Sequence, residues 1–110
     1  MKGGKITMYY QQGDVLIKKI EKLPKQVEKS VIKNNKWIIA EGEHTGHMHA
    51  IDEKEAIVYH KDGAKYILTE KGFTITHQEH LPIKIKPGIY KVGIVREYDP
   101  FEEKIREVAD

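Results

Sequence analysis

Short apolar runs rich in Ile, Val and Tyr recur along the chain at intervals of roughly ten residues, the spacing expected of an all-β sandwich or small barrel. Turn-forming pairs separate them: Asn34-Asn35, Asp62-Gly63, Lys71-Gly72 and Pro87-Gly88. The pattern predicts strands near Asp14 to Ile20, Lys36 to Glu41, His47 to Ile51, Ala56 to His60, Lys65 to Glu70, Phe73 to Glu79 and Ile89 to Tyr98, with a shorter one from Leu81 to Lys86. The clearest hairpin is YHKDGAKYIL, because Asp-Gly supplies the positive φ angles of a tight primed turn.

Alternation assigns faces, since residues two apart on a strand point the same way. His47 and His49 therefore share a face, and His77 extends the apolar row Phe73, Ile75. His80 falls on the opposite face of a regular strand, but Leu81-Pro82 follows it, and proline accompanies the bend or bulge that can turn it inward. Ile89, Tyr90, Val92, Ile94 and Val95 put apolar residues on both sides of the last strand, as a central strand requires.

After Tyr98 the period changes. Asp99 can cap a helix, Pro100 suits its first turn, Glu102 completes a capping box, and Phe101, Ile105 and Val108 share one helical stripe, so a short C-terminal helix is expected. Residues 21 to 33, with Leu23-Pro24 and alternating charges, fit a loop, a helical turn or a strand end. There is no repeat, low-complexity segment or linker, and residues 1 to 110 read as one domain.

Composition narrows the chemistry more than the fold. The chain has 19 Lys plus Arg, 17 Asp plus Glu and a net charge of +2, with the basic residues interspersed among acids rather than gathered into an arm or stripe. Nucleic-acid binding is accordingly the weakest of the function classes. Zero cysteines remove disulfides, thiolate nucleophiles and cysteine-based zinc sites, so His, Asp and Glu are the strong metal ligands available. No apolar run reaches the length of a membrane span, and MKGGKITMYYQQG lacks the apolar centre of a signal peptide, which points to a cytoplasmic protein.

The pointed feature is the distribution of histidine. Of six, three lie in EGEHTGHMHAI as His44, His47 and His49, and two in THQEH as His77 and His80. Two imidazoles at i and i+2 on a strand reach into one space, and neutral ring nitrogens suit zinc, iron, manganese, nickel or copper. His47, His49, His77 and His80 are the candidate ligands, with Glu79 or Glu53 as a carboxylate ligand or proton acceptor. The competing reading makes these histidines hydrogen-bonded members of a polar core. His44, before the Thr45-Gly46 turn, and His60, beside the Asp62-Gly63 turn, read as surface residues.

The order Gly42, His47, His49, Glu53, Gly63 resembles the first cupin signature, although the gaps from Gly42 and to Gly63 differ and the histidine expected after Pro87-Gly88 is missing. That resemblance implies a cupin-like roll and, by analogy, pairing of edge strands into a homodimer. Over most of the chain, QGDVLI, GEHTGHMHAI, THQEHLPIKIKPGIYKV and REYDPFEEKIREVAD resemble a family of small uncharacterised microbial and phage-encoded proteins. The match falls on Gly42, Glu43, Thr45, Gly46, His47, His49, His77, Glu79, His80, Pro82, Ile83, Gly88, Tyr90, Val92, Arg96, Glu97 and Tyr98. It implies a variable position at His44 and carries no activity with it.

The sequence thus predicts an all-β domain, a small barrel or cupin-like roll with a C-terminal helix. It would bind a divalent transition metal (Zn, Fe, Mn or Ni), and its partner would be a small molecule or a protein. The alternative is a phage or host accessory module that is not an enzyme.

Overall fold

A computed structural model of the protein describes residues 9–41 and 47–94. Within these, eleven strands form two antiparallel sheets: β1 (Tyr9–Gln12), β2 (Val15–Ile20), β3 (Glu28–Lys29), β4 (Ile32–Lys33), β5 (Lys36–Glu41), β6 (Met48–Asp52), β7 (Ile57–Lys61), β8 (Ala64–Thr69), β9 (Phe73–Thr76), β10 (Ile83–Ile85) and β11 (Gly88–Ile94). One sheet runs β1-β2-β11-β8-β7-β3 and the other β10-β9-β6-β5-β4. The expected all-β class holds, but each sheet keeps two edge strands, so the described residues form open sheets and not a closed barrel. The expected C-terminal helix lies outside the described residues, as do the last positions of the expected Ile89 to Tyr98 strand.

Alternation accounts for the core. Val15, Ile17, Val58, Ile67, Tyr90 and Val92 from the first sheet meet Trp37, Ile39, Ile51, Phe73, Ile75 and Ile85 from the second in one buried cluster. β11 lies between β2 and β8, the central place its two-sided apolar character demands. Its Tyr90 is fully buried yet keeps its hydroxyl satisfied by donating to the Lys86 carbonyl at 2.7 Å. Trp37 does likewise through its indole N–H, which donates to the Ala56 carbonyl at 2.8 Å. These bonds remove the cost of leaving a polar tip unpaired inside the core.

The turns follow local chemistry. Asp62 and Gly63 both take positive φ (50° and 82°) and close the β7–β8 hairpin between Lys61 and Ala64. Asn34 and Asn35 do the same (52° and 62°) between Lys33 and Lys36, so part of the undecided 21 to 33 stretch becomes the short edge strand β4. β3 and β1 are the other strands that the apolar rhythm left unmarked; β3 is two exposed charged residues, and β1 is Tyr-Tyr-Gln-Gln without alternation. A register shift between Ile38 and Ala40 breaks the β5–β6 ladder. There Lys65 crosses from the facing sheet and donates to the Ile38 and Ile39 carbonyls at 2.8 and 3.2 Å, supplying partners the bulge removes. Among the described residues no helix is long and apolar enough to cross a membrane.

Candidate functional site

β1 and β10 are edge strands of different sheets, and they lie against each other. Where the β1–β2 turn meets the segment joining β9 to β10, four imidazoles gather. The β6–β9 ladder pairs Ala50 with Thr76 and Ile51 with Ile75; one step further along the same register sets His49 opposite His77. Their ring centroids are 4.4 Å apart. His47, just before β6, lies 5.7 Å from His77, and His80 lies 4.6 Å from His77 and 6.0 Å from His49, nearly parallel to it at 14°. The irregular backbone after Thr76 is what brings His80 round, in keeping with the Leu81-Pro82 that follows.

His49 is the buried member, 2% exposed. Its Nδ1 lies 2.9 Å from Gln12 Oε1, while Gln12 Nε2 donates to the carbonyls of Ile75 and Leu81 at 3.1 and 2.8 Å. Two carbonyl acceptors fix the amide orientation, because the reverse would set three oxygens against one another. Gln12 Oε1 must therefore accept, so neutral His49 carries its proton on Nδ1 and presents a bare Nε2. That nitrogen faces Asp14 Oδ1 at 3.5 Å.

His77 has the opposite tautomer. The backbone N–H of Glu79 donates to its Nδ1 at 3.0 Å, which leaves the proton on Nε2 when the ring is neutral. Met48 N–H donates to Gln78 Oε1 at 2.8 Å and ties the histidine-bearing turn to β6. Glu79 Oε2 lies 3.7 Å from His47 Nδ1. Among the described residues no group of three or more His, Asp or Glu side chains stands ready to hold a metal ion. The Glu79 amide occupies the lone pair of His77 Nδ1.

Burial pushes the His49 pKa below the ordinary histidine range, the His77 and His80 rings add to the effect, and Asp14 opposes it. His77 is also lowered, first by desolvation and then by His80 and His47, against Glu79 and Asp14. In both cases the unfolded chain binds protons more readily than the fold. Stability contributed by the neutral rings is thus complete above the unfolded pKa of about 6.5 and declines as pH falls through it toward the folded values. Urea midpoints measured at pH 8, 7, 6 and 5.5 should fall progressively below pH 7, and a His77→Ala variant should show a shallower decline. A flat profile over that range would contradict this assignment.

Of the remaining sequence candidates, Glu53 lines a separate groove of about 610 Å³ with Glu55, Ala56, Leu68 and Thr69. His60 is exposed and has Ser30 Oγ 3.4 Å from its Nδ1, as its surface reading anticipated. His44 lies outside the described residues. Gln12, Gly13 and Asp14 escaped sequence reasoning as site residues, because nothing in the segment QGD sets Asp14 apart from the chain's other carboxylates and its partners lie far along the chain.

No curated protein and no solved structure matches the chain. One family model does, over residues 11–95, a stretch that takes in the QGD turn and both histidine clusters. The chain belongs to that family, described as Domain of unknown function (DUF8820).

Proposed function

We propose that this domain binds a divalent transition metal through the cluster of His47, His49, His77 and His80. The observation that carries the reading is His49: a buried imidazole whose Nδ1–H is engaged by Gln12, leaving Nε2 directed at Asp14. A metal-bound histidine has this arrangement, the non-ligating N–H donating to an outer-shell oxygen. For an ion held at about 2.1 Å by nitrogen and oxygen in a tetrahedron, two ligand atoms stand about 3.4 Å apart. His49 Nε2 and Asp14 Oδ1 are 3.5 Å apart.

Binding through His77 requires that its Nδ1 give up the Glu79 amide, because an ion on Nδ1 takes that lone pair and an ion on Nε2 shifts the ring proton to Nδ1. Metal uptake therefore involves local rearrangement of the turn between β9 and β10. A bound ion with an open position would supply Lewis-acid activation of water, and Glu79, 3.7 Å from His47 Nδ1, would be the proton acceptor.

Cobalt(II) titration followed by its visible absorption tests the reading, with zinc competition to set the stoichiometry. One equivalent should bind, and His47→Ala and His77→Ala should each weaken binding by roughly tenfold or more. A parent protein showing neither saturable absorption nor metal above background after dialysis would end the proposal and leave the cluster as a polar core.

A further inference from the structure

We infer that the β1–β2 turn, Gln12-Gly13-Asp14, is the third arm of this site: Gln12 selects the ligating nitrogen of His49, Gly13 makes room for His80, and Asp14 supplies an oxygen ligand. The roles of Asp14 and Gly13 rest on the metal reading above, whereas that of Gln12 can be measured without any metal.

Each residue type answers to a distinct constraint. Gln12 is buried, and its side chain joins three segments: it donates to Ile75 at the end of β9 and to Leu81 before β10, and accepts from His49 on β6. A side chain without both donor and acceptor atoms at this position could not satisfy the two carbonyls and the imidazole together. Glutamate would oppose two carbonyl oxygens with a carboxylate. Aliphatic side chains would free His49 to carry its proton on Nε2 and donate it to Asp14, which removes the bare nitrogen.

Gly13 adopts φ +59°, and a Cβ built there would lie 2.6 Å from His80 Nε2. The ring of His80 therefore occupies space that any other residue at this position would fill. Asp14 follows at once, its side chain 58% exposed and its Oδ1 already at ligand-to-ligand distance from His49 Nε2. His77 is the nearer imidazole to His49 at 4.4 Å, and His80 lies 6.0 Å from it with the rings nearly parallel. The result is a mixed nitrogen and oxygen centre open to solvent on the carboxylate side. Such a donor set favours borderline and hard divalent ions (Zn, Mn, Fe(II), Ni) over thiophilic Cu(I).

Two variants test this with independent readouts. Long-range ¹H–¹⁵N spectra of the metal-free protein at pH 8 should show parent His49 as the Nδ1–H tautomer, and Gln12→Met should abolish that preference. Parent His49 protonated on Nε2, or Gln12→Met retaining the Nδ1–H form, would overturn the role of Gln12. Asp14→Asn, at an exposed position that does not threaten folding, should keep the parent tautomer while weakening zinc binding by about 10- to 100-fold. Zinc affinity equal to the parent's would remove Asp14 from the ligand set. A parent with the expected tautomer but no zinc binding would refute the metal reading and Asp14's role in it, and still uphold Gln12 as the residue that orients His49.

Discussion

His49→Ala is expected both to abolish stoichiometric metal binding and to destabilise the fold. The ring is almost wholly buried, and its removal leaves a cavity and strips Gln12 Oε1 of its donor. An unpaired buried acceptor costs about 1–3 kcal/mol, and the cavity adds to it. A combined loss of about 2–4 kcal/mol would lower Tm by about 10–20 °C in a domain of this size. His49→Asn separates the two effects, because an asparagine Nδ2 can stand where the histidine Nδ1 stood and donate to Gln12, while nothing replaces Nε2. Calorimetric melting should show His49→Asn well above His49→Ala, and metal titration should show both at background. Metal binding by His49→Asn at the parent's affinity would mean that His49 is a structural residue only.

In the core, Ile67→Ala should cost about 2–5 kcal/mol, the range for truncating a fully buried aliphatic side chain whose surroundings cannot collapse. Ile67 is 0% exposed on β8, opposite Tyr90 of β11 and Val58 of β7, both themselves fully buried. Strands on either side hold the gap open. Leu81→Ala provides the contrast: Leu81 is 85% exposed, so its truncation should change stability by no more than about 0.5 kcal/mol. Urea unfolding of the two variants should separate them by about half a molar unit or more in midpoint at the usual slope of about 1–3 kcal/mol/M. Similar midpoints would mean that the two sheets do not close on the core described above.

The difference between these positions was not marked in the sequence: Tyr66, Ile67 and Leu68 are consecutive apolar residues, and Leu81 opened the strand expected over Leu81 to Lys86. The placement of His77 was legible from alternation, as a continuation of Phe73 and Ile75. His80 was legible only as a choice between two faces, since a bend before proline has no fixed direction until something packs against it. Here the partner is Gly13, from a turn 67 residues earlier in the chain.

What the sequence determined by itself is local: the all-β class, most strand positions, the Asn34-Asn35 and Asp62-Gly63 turns, and the common face of the β9 row. Each depends on backbone geometry spanning a few residues, and side-chain period and positive-φ preference act over that range. Tertiary structure alone decided that two sheets stay open instead of closing, that Tyr9–Gln12 becomes an edge strand, and that Gln12 and Asp14 join the histidines. Gln12 meets carbonyls 63 and 69 positions away, and no periodicity in the chain specifies which edges of two sheets will meet. The proton on His49 Nδ1 follows from that meeting, because a tautomer is set by whichever group the fold brings to the ring.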